Sequence, residues 1–209
     1  METFNFVIRK NVGGKIQNTI INCCENKTDI VDQISMLDFL KTILSFLAGN
    51  QIEYMLSGSM ALSVYVLPRA TRDFDFIVQL RHHDASLFVQ HFREGYYCDE
   101  ETISDAVKNH GMFNIIDHAS GFKADFVILK DEVFRKTEFQ RRKEIDFLGT
   151  TVFIASAEDL LISKLIWIQD FYSNLQAEDI RQLVALKSLD RDYIKNWIEF
   201  LSLKTFDLL

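Results

Sequence analysis

The chain has 209 residues, 48% hydrophobic and 25% charged, which fits a normal soluble core and either one domain with an appendage or two small domains. A formal net charge of -7 argues against a broad non-specific nucleic-acid surface, although Arg69, Arg72 and the run Arg141-Arg142-Lys143 concentrate positive charge locally. The longest apolar runs, Val152 to Ala155 and Leu160 to Ile168, are short or interrupted, so no membrane span is expected. Glu2, Arg9 and Lys10 leave no signal-peptide core, and the three cysteines (Cys23, Cys24, Cys98) offer no even disulfide framework, so a cytoplasmic protein is expected.

In chain order, Phe4 to Arg9 and Ile16 to Ile21 are strand-like and flank turn chemistry at Asn11-Val12-Gly13-Gly14, which predicts a β-hairpin. From Thr28 to Leu47, Ile30, Ile34, Leu37, Leu40, Ile43 and Leu47 recur at helical spacing, and Gly49 follows as a stop. A short strand is predicted over Glu53 to Ser57, a helix over Ser59 to Leu67 and a strand over Asp73 to Leu80. Helices follow over His82 to Phe92 and Asp99 to Asn109, then a hairpin of Phe113 to Asp117 and Phe122 to Leu129. From Ser156 the pattern is helical: Ser156 to Tyr172, Gln176 to Leu186 and Asp190 to Leu203, the first opened by a Ser-Ala-Glu-Asp capping pattern. The expectation is an α/β (α+β) core over residues 1–155 and a helical C-terminal part over 156–209.

Chemistry concentrates in two stretches, Ser57-Gly58-Ser59 and Asp73-Phe74-Asp75. A strand ending in Gly-Ser and opening a helix suits phosphate, because glycine admits close backbone approach and the free amides of a helix N-terminus attract anions. Ser59 either adds a hydroxyl to such a site or caps the helix. On a strand, residues two apart share a face, so Asp73 and Asp75 project together while Phe74 and Phe76 face a core. Two neighbouring carboxylates repel, at a cost in stability, unless a cation or a basic partner sits between them, and Mg²⁺ takes oxygen ligands of this kind. Asp125 lies in the otherwise apolar strand Lys123-Ala124-Asp125-Phe126-Val127-Ile128-Leu129, where a carboxylate without a role is expensive to bury. If that strand lies beside the Asp73 strand, three carboxylates converge.

This order of Gly-Ser, helix, Asp-x-Asp and a later strand Asp resembles the nucleotidyltransferase superfamily of DNA polymerase β. Arg69-x-Thr71-x-Asp73-x-Asp75, Phe113 to Asp125, Ser156 to Leu160 with Lys164-Leu165, and Asp179-Ile180 look like the small bacterial branch related to AbiEii-type toxins. The resemblance runs from about Ile52 to Leu203, and the chain departs from the common Gly-Gly with Gly58-Ser59. It implies a mixed sheet flanked by helices and transfer of a nucleoside monophosphate from an NTP, with Mg²⁺ or Mn²⁺, to a hydroxyl of RNA, protein or a small molecule. It further implies that Asp73, Asp75 and Asp125 bind metal and act in catalysis, and that Gly58, Ser59, Arg69, Arg72 and Lys164 hold the nucleotide. Asp179 would orient Lys164 or stabilise a helix start. A toxin component restrained by an antitoxin protein, and a non-catalytic nucleotide-binding module, are the alternative readings.

Three other features carry less. His82, His83 and His91 read as a solvated helix face rather than a metal site, and Cys23 and Cys24 as ordinary residues. Phe134, Phe139 and Arg141-Arg142 would have to form a groove to contact nucleic acid, whereas the 18 phenylalanines read chiefly as core.

Overall fold

The computed structural model describes residues 5–12, 15–22, 27–67, 71–147 and 149–209, with side chains from residue 35 onward. The hairpin turn at Gly13-Gly14, the Cys23-Cys24 pair and Arg69 lie outside the described residues.

Strands β1 (Asn5–Val12) and β2 (Lys15–Asn22) pair antiparallel as the alternating pattern predicts, and helix α1 (Lys27–Gly49) follows. Then come β3 (Tyr54–Ser57), α2 (Gly58–Tyr65), β4 (Asp73–Val78), α3 (Asp84–His91), β5 (Tyr96–Tyr97) and α4 (Glu100–Asn109). The chain continues through β6 (Met112–Asp117), β7 (Lys123–Ile128), α5 (Val133–Gln140), β8 (Lys143–Phe147) and β9 (Thr150–Ile154). It closes with α6 (Ala157–Asp170), α7 (Asn174–Val184) and α8 (Arg191–Phe200). Among the described residues the strands form one mixed sheet in the order β2-β1-β8-β9-β3-β4-β7-β6-β5, parallel where β3 meets β9 and β4 meets β7. No described helix is long and apolar enough to cross a membrane.

The two sheet faces differ because β4 alternates strictly: Phe74, Phe76 and Val78 are buried, while Asp73 is exposed and Asp75 and Ile77 are half-buried. Parallel registration of Phe76 with Phe126 stacks those rings at 5.3 Å, and Phe113 stacks on Phe126 from the other side at 5.0 Å. Phe88 of α3 meets Phe126 edge-on at 5.3 Å, and Phe39 of α1 lies 5.9 Å from Phe74, so this face is an aromatic core under α1 and α3. Each such ring pair contributes about 0.5–1.5 kcal/mol beyond its buried area. The opposite face carries Asp75 and meets α2, which in turn packs against α6.

Several boundaries shift for local reasons. Helix α2 ends at Tyr65, three residues ahead of Pro68, where backbone preceding a proline is driven out of helical geometry. Helix α3 begins at Asp84, not His82, because the Asp84 carboxylate accepts from the Arg81 backbone N–H at 2.7 Å and closes a turn first. The span 130–155 holds α5, β8 and β9, for which the sequence reading assigned no elements. There β8 reads Lys-Glu-Ile-Asp-Phe, mostly exposed, so it lacks the apolar signature of an interior strand although β1 and β9 pair with its two edges.

Candidate active site

Strand β3 delivers the chain into α2 through Gly58, whose φ of +59° belongs to the left-handed region that glycine tolerates. A Cβ built on Gly58 would stand 1.7 Å from Asp75 Oδ2, so Asp75 occupies the space that any side chain at 58 would need. Antiparallel pairing sets Ser57 opposite Asp75, which brings the carboxylate to the α2 N-terminus. There the backbone N–H of Ser59 donates to it. Ser59 is therefore inside the first turn of α2, after an N-cap at Ser57, and does not cap the helix.

Parallel registration pairs Asp73 with Lys123 and Asp75 with Asp125, so these four side chains share the face opposite the phenylalanine core. Asp125 is buried, its Oδ1 has no hydrogen-bond partner among the described residues, and its Oδ2 lies 2.7 Å from Lys123 Nζ. The same ammonium is 3.8 Å from Asp73 Oδ1. Burial pushes the Asp75 carboxyl above the usual carboxylate range, helped by the charges of Asp125 and Asp73 and opposed by Lys164 and the Ser59 N–H. The Lys123 ammonium is raised in turn, first by its hydrogen bond to Asp125.

This donor set suits a hard divalent cation: carboxylate oxygens only, one of them buried with no partner among the described residues, and one carboxyl discouraged from ionising by burial and then by its neighbours. Among the described residues, however, no three His, Cys, Asp or Glu side chains converge on one point that would hold a metal ion. Lys123 spans Asp125 and Asp73 instead.

Lys164 is 5% exposed on α6, which rules out a snorkelling surface lysine, and its charge reaches Asp75. Its Nζ donates to Asp179 Oδ2 at 2.8 Å and Gln176 Oε1 at 2.9 Å. Because α7 starts at Asn174, Asp179 sits inside that helix and pairs with Lys164 across α6 and α7. Arg72 is exposed just before β4, its guanidinium 5.8 Å from the centroid of the Phe122 ring.

Sequence reasoning passed over Lys123, although its place two residues before Asp125 on one strand puts both on one face. It read Asp159 only as part of a capping pattern, whereas Asp159 is fully buried and gathers Ser156, Arg141 and Tyr193 around its carboxylate. Phe134 and Phe139 belong to the core, as the reading of the phenylalanines chiefly as core expects: both rings are buried, and Arg142 covers Phe139 at 4.4 Å, which leaves no open groove of those rings for nucleic acid. Among the three histidines, all exposed, His91 lies against Phe46 at 4.8 Å, and no metal-ligand cluster forms among the described residues.

No family model matches the chain, and no curated protein matches it. Two solved structures share its architecture. The solution structure of the antibiotic-resistance factor ANT(2'')-Ia aligns over 82% of this chain and 92% of its own, at a TM-score of 0.53 and 10% identity. The crystal structure of ANT(2'')-Ia in complex with adenylyl-2''-tobramycin aligns over 80% and 97%, at a TM-score of 0.51 and 12% identity. The likeness is one of architecture: this chain has the mixed α/β fold of the nucleotidyltransferases.

Proposed function

We propose that the protein is a metal-dependent nucleotidyltransferase that moves a nucleoside monophosphate from an NTP to an acceptor hydroxyl, with Mg²⁺ or Mn²⁺ as cofactor. The observation that carries this reading is the placing of Asp73, Asp75 and Asp125 on one sheet face, at the glycine turn that opens α2. Asp73, Asp75 and Asp125 would hold the metal, which when bound would neutralise phosphate charge and ease loss of the acceptor proton. Gly58 lets Asp75 lie against the bare backbone at the α2 N-terminus, and the Ser59 hydroxyl with the free amides of that first turn would donate to the triphosphate. Lys164, held by Asp179 and Gln176, binds the triphosphate, with Arg72 at the rim and Arg69 assigned to the same task on sequence alone.

Asp125 Oδ1, buried and without a hydrogen-bond partner among the described residues, accepts the proton of the acceptor hydroxyl. The acceptor oxygen then bonds to the α-phosphorus, the bond from that phosphorus to its bridging oxygen breaks, and pyrophosphate leaves. The Lys164 and Asp179 segments support a place in the branch related to AbiEii-type toxins, with an antitoxin protein as partner. The complex of ANT(2'')-Ia with adenylyl-2''-tobramycin keeps a small-molecule acceptor beside RNA and protein.

The test is incubation with each labelled NTP, Mg²⁺ or Mn²⁺, and separate RNA, protein and small-molecule fractions. Label should enter one fraction and fall at least 100-fold in Asp75→Asn, the usual scale of losing a group that stabilises the transition state. No labelling by the folded wild-type chain in any fraction, or undiminished labelling by the variant, would overturn the reading.

A further inference from the structure

The cation inside the carboxylate cluster is the chain's own. Lys123 reaches Asp125 Oδ2 at 2.7 Å and Asp73 Oδ1 at 3.8 Å, from a strand position that registers directly beside Asp73. These are two of the three carboxylates that the proposed metal needs, and a cation bound to both would take the place of the ammonium. The remaining Asp125 oxygen has no hydrogen-bond partner among the described residues, where Lys123 satisfies only half of that buried carboxylate. Its side chain is about one-third exposed (32%), which leaves a solvent path along which a flexible four-carbon stem can withdraw.

We infer that Lys123 is a resident counter-ion that competes with divalent metal for Asp125 and Asp73 and thereby sets the metal affinity of the site. The inference rests on the proposed metal-dependent reading. In the resting chain the ammonium holds the two carboxylates together against their repulsion. Metal arriving alone must displace it, whereas metal arriving on a triphosphate brings additional contacts at Gly58, Ser59 and Lys164 that offset the displacement. Free metal therefore binds weakly, and the metal–nucleotide complex is the species that enters.

The experiment is titration of the full-length chain with Mn²⁺, free ion read by electron paramagnetic resonance, at fixed pH and with no nucleotide. Lys123→Met should bind Mn²⁺ about tenfold more tightly than wild type, the scale of one charge-assisted hydrogen bond. Lys123→Arg should stay near wild type, and adding Asp125→Asn to Lys123→Met should remove the gain. Equal or weaker binding by Lys123→Met, or a gain that survives Asp125→Asn, overturns the inference. A measurement on wild type guards against a misfolded variant: acetic anhydride labelling of Lys123, read by mass spectrometry, should rise on Mn²⁺ addition, and no rise overturns the inference. The parent reading fails separately, if neither wild type nor Lys123→Met binds Mn²⁺ even with a nonhydrolysable NTP. Binding by both with equal affinity sinks the counter-ion alone.

Discussion

At the scale of single residues, the contact between Gly58 and Asp75 shows how the chain accommodates an unfavourable group. The carboxylate presses against a glycine whose missing Cβ would stand 1.7 Å away, and it receives one backbone N–H from Ser59. Burial and two like-charged neighbours still raise its pKa in the folded chain. The advantage of the neutral carboxyl is full below the ordinary aspartate range and is lost as pH rises through the raised folded value. Metal-free protein should accordingly lose stability on this account between mildly acidic and neutral pH. Asp75→Asn keeps an acceptor for Ser59 and removes the charge, so it should be more stable than wild type at neutral pH by about 0.5–2 kcal/mol. Thermal melts in chelator from pH 4 to 8 check this: the two curves should converge at low pH, and a gap that is constant across the range contradicts it.

At the scale of elements, α6 depends on its first turn. Ser156 accepts from the Asp159 N–H at 3.1 Å, while its hydroxyl donates to Asp159 Oδ2 at 2.5 Å. Asp159 is also reached by Arg141 at the end of α5 and by Tyr193 on α8, so one capping turn joins three helices. Ser156→Ala removes the cap and should cost about 1 kcal/mol, seen in calorimetry as a melting temperature lower by roughly 2–4 °C. The cap itself was legible, because Ser-x-x-Asp ahead of an apolar run is a local pattern. The role of Asp159 was not, since its partners lie 18 and 34 residues away. Strand β8 was illegible for a related reason: Lys143, Glu144 and Asp146 are polar and exposed, and only pairing with β9 and β1 makes them a strand.

For the whole molecule, the Lys164–Asp179 pair couples the helical tail to the carboxylate face. Both side chains are nearly inaccessible, at 6% and 3%, so losing one partner strands a buried charge. Asp179→Ala should destabilise the chain by roughly 3–5 kcal/mol in urea denaturation, the range for breaking a buried pair. Lys164→Met combined with Asp179→Leu should recover most of that stability while leaving nucleotidyl transfer abolished. A double variant as unstable as the single one would show that the pair is not the source of the loss.

The sequence by itself determined the hairpin, α1, the two separate strands carrying Asp73, Asp75 and Asp125, and the three C-terminal helices. Each depends on a period of two or 3.6 residues or on a cap within a few positions. Only the tertiary structure decided that Asp75 and Asp125 lie side by side, that Lys123 bridges two carboxylates, and that Asp179 meets Lys164. Sheet registration and helix packing join residues distant along the chain, and local periodicity carries no information about which strand or helix becomes the neighbour.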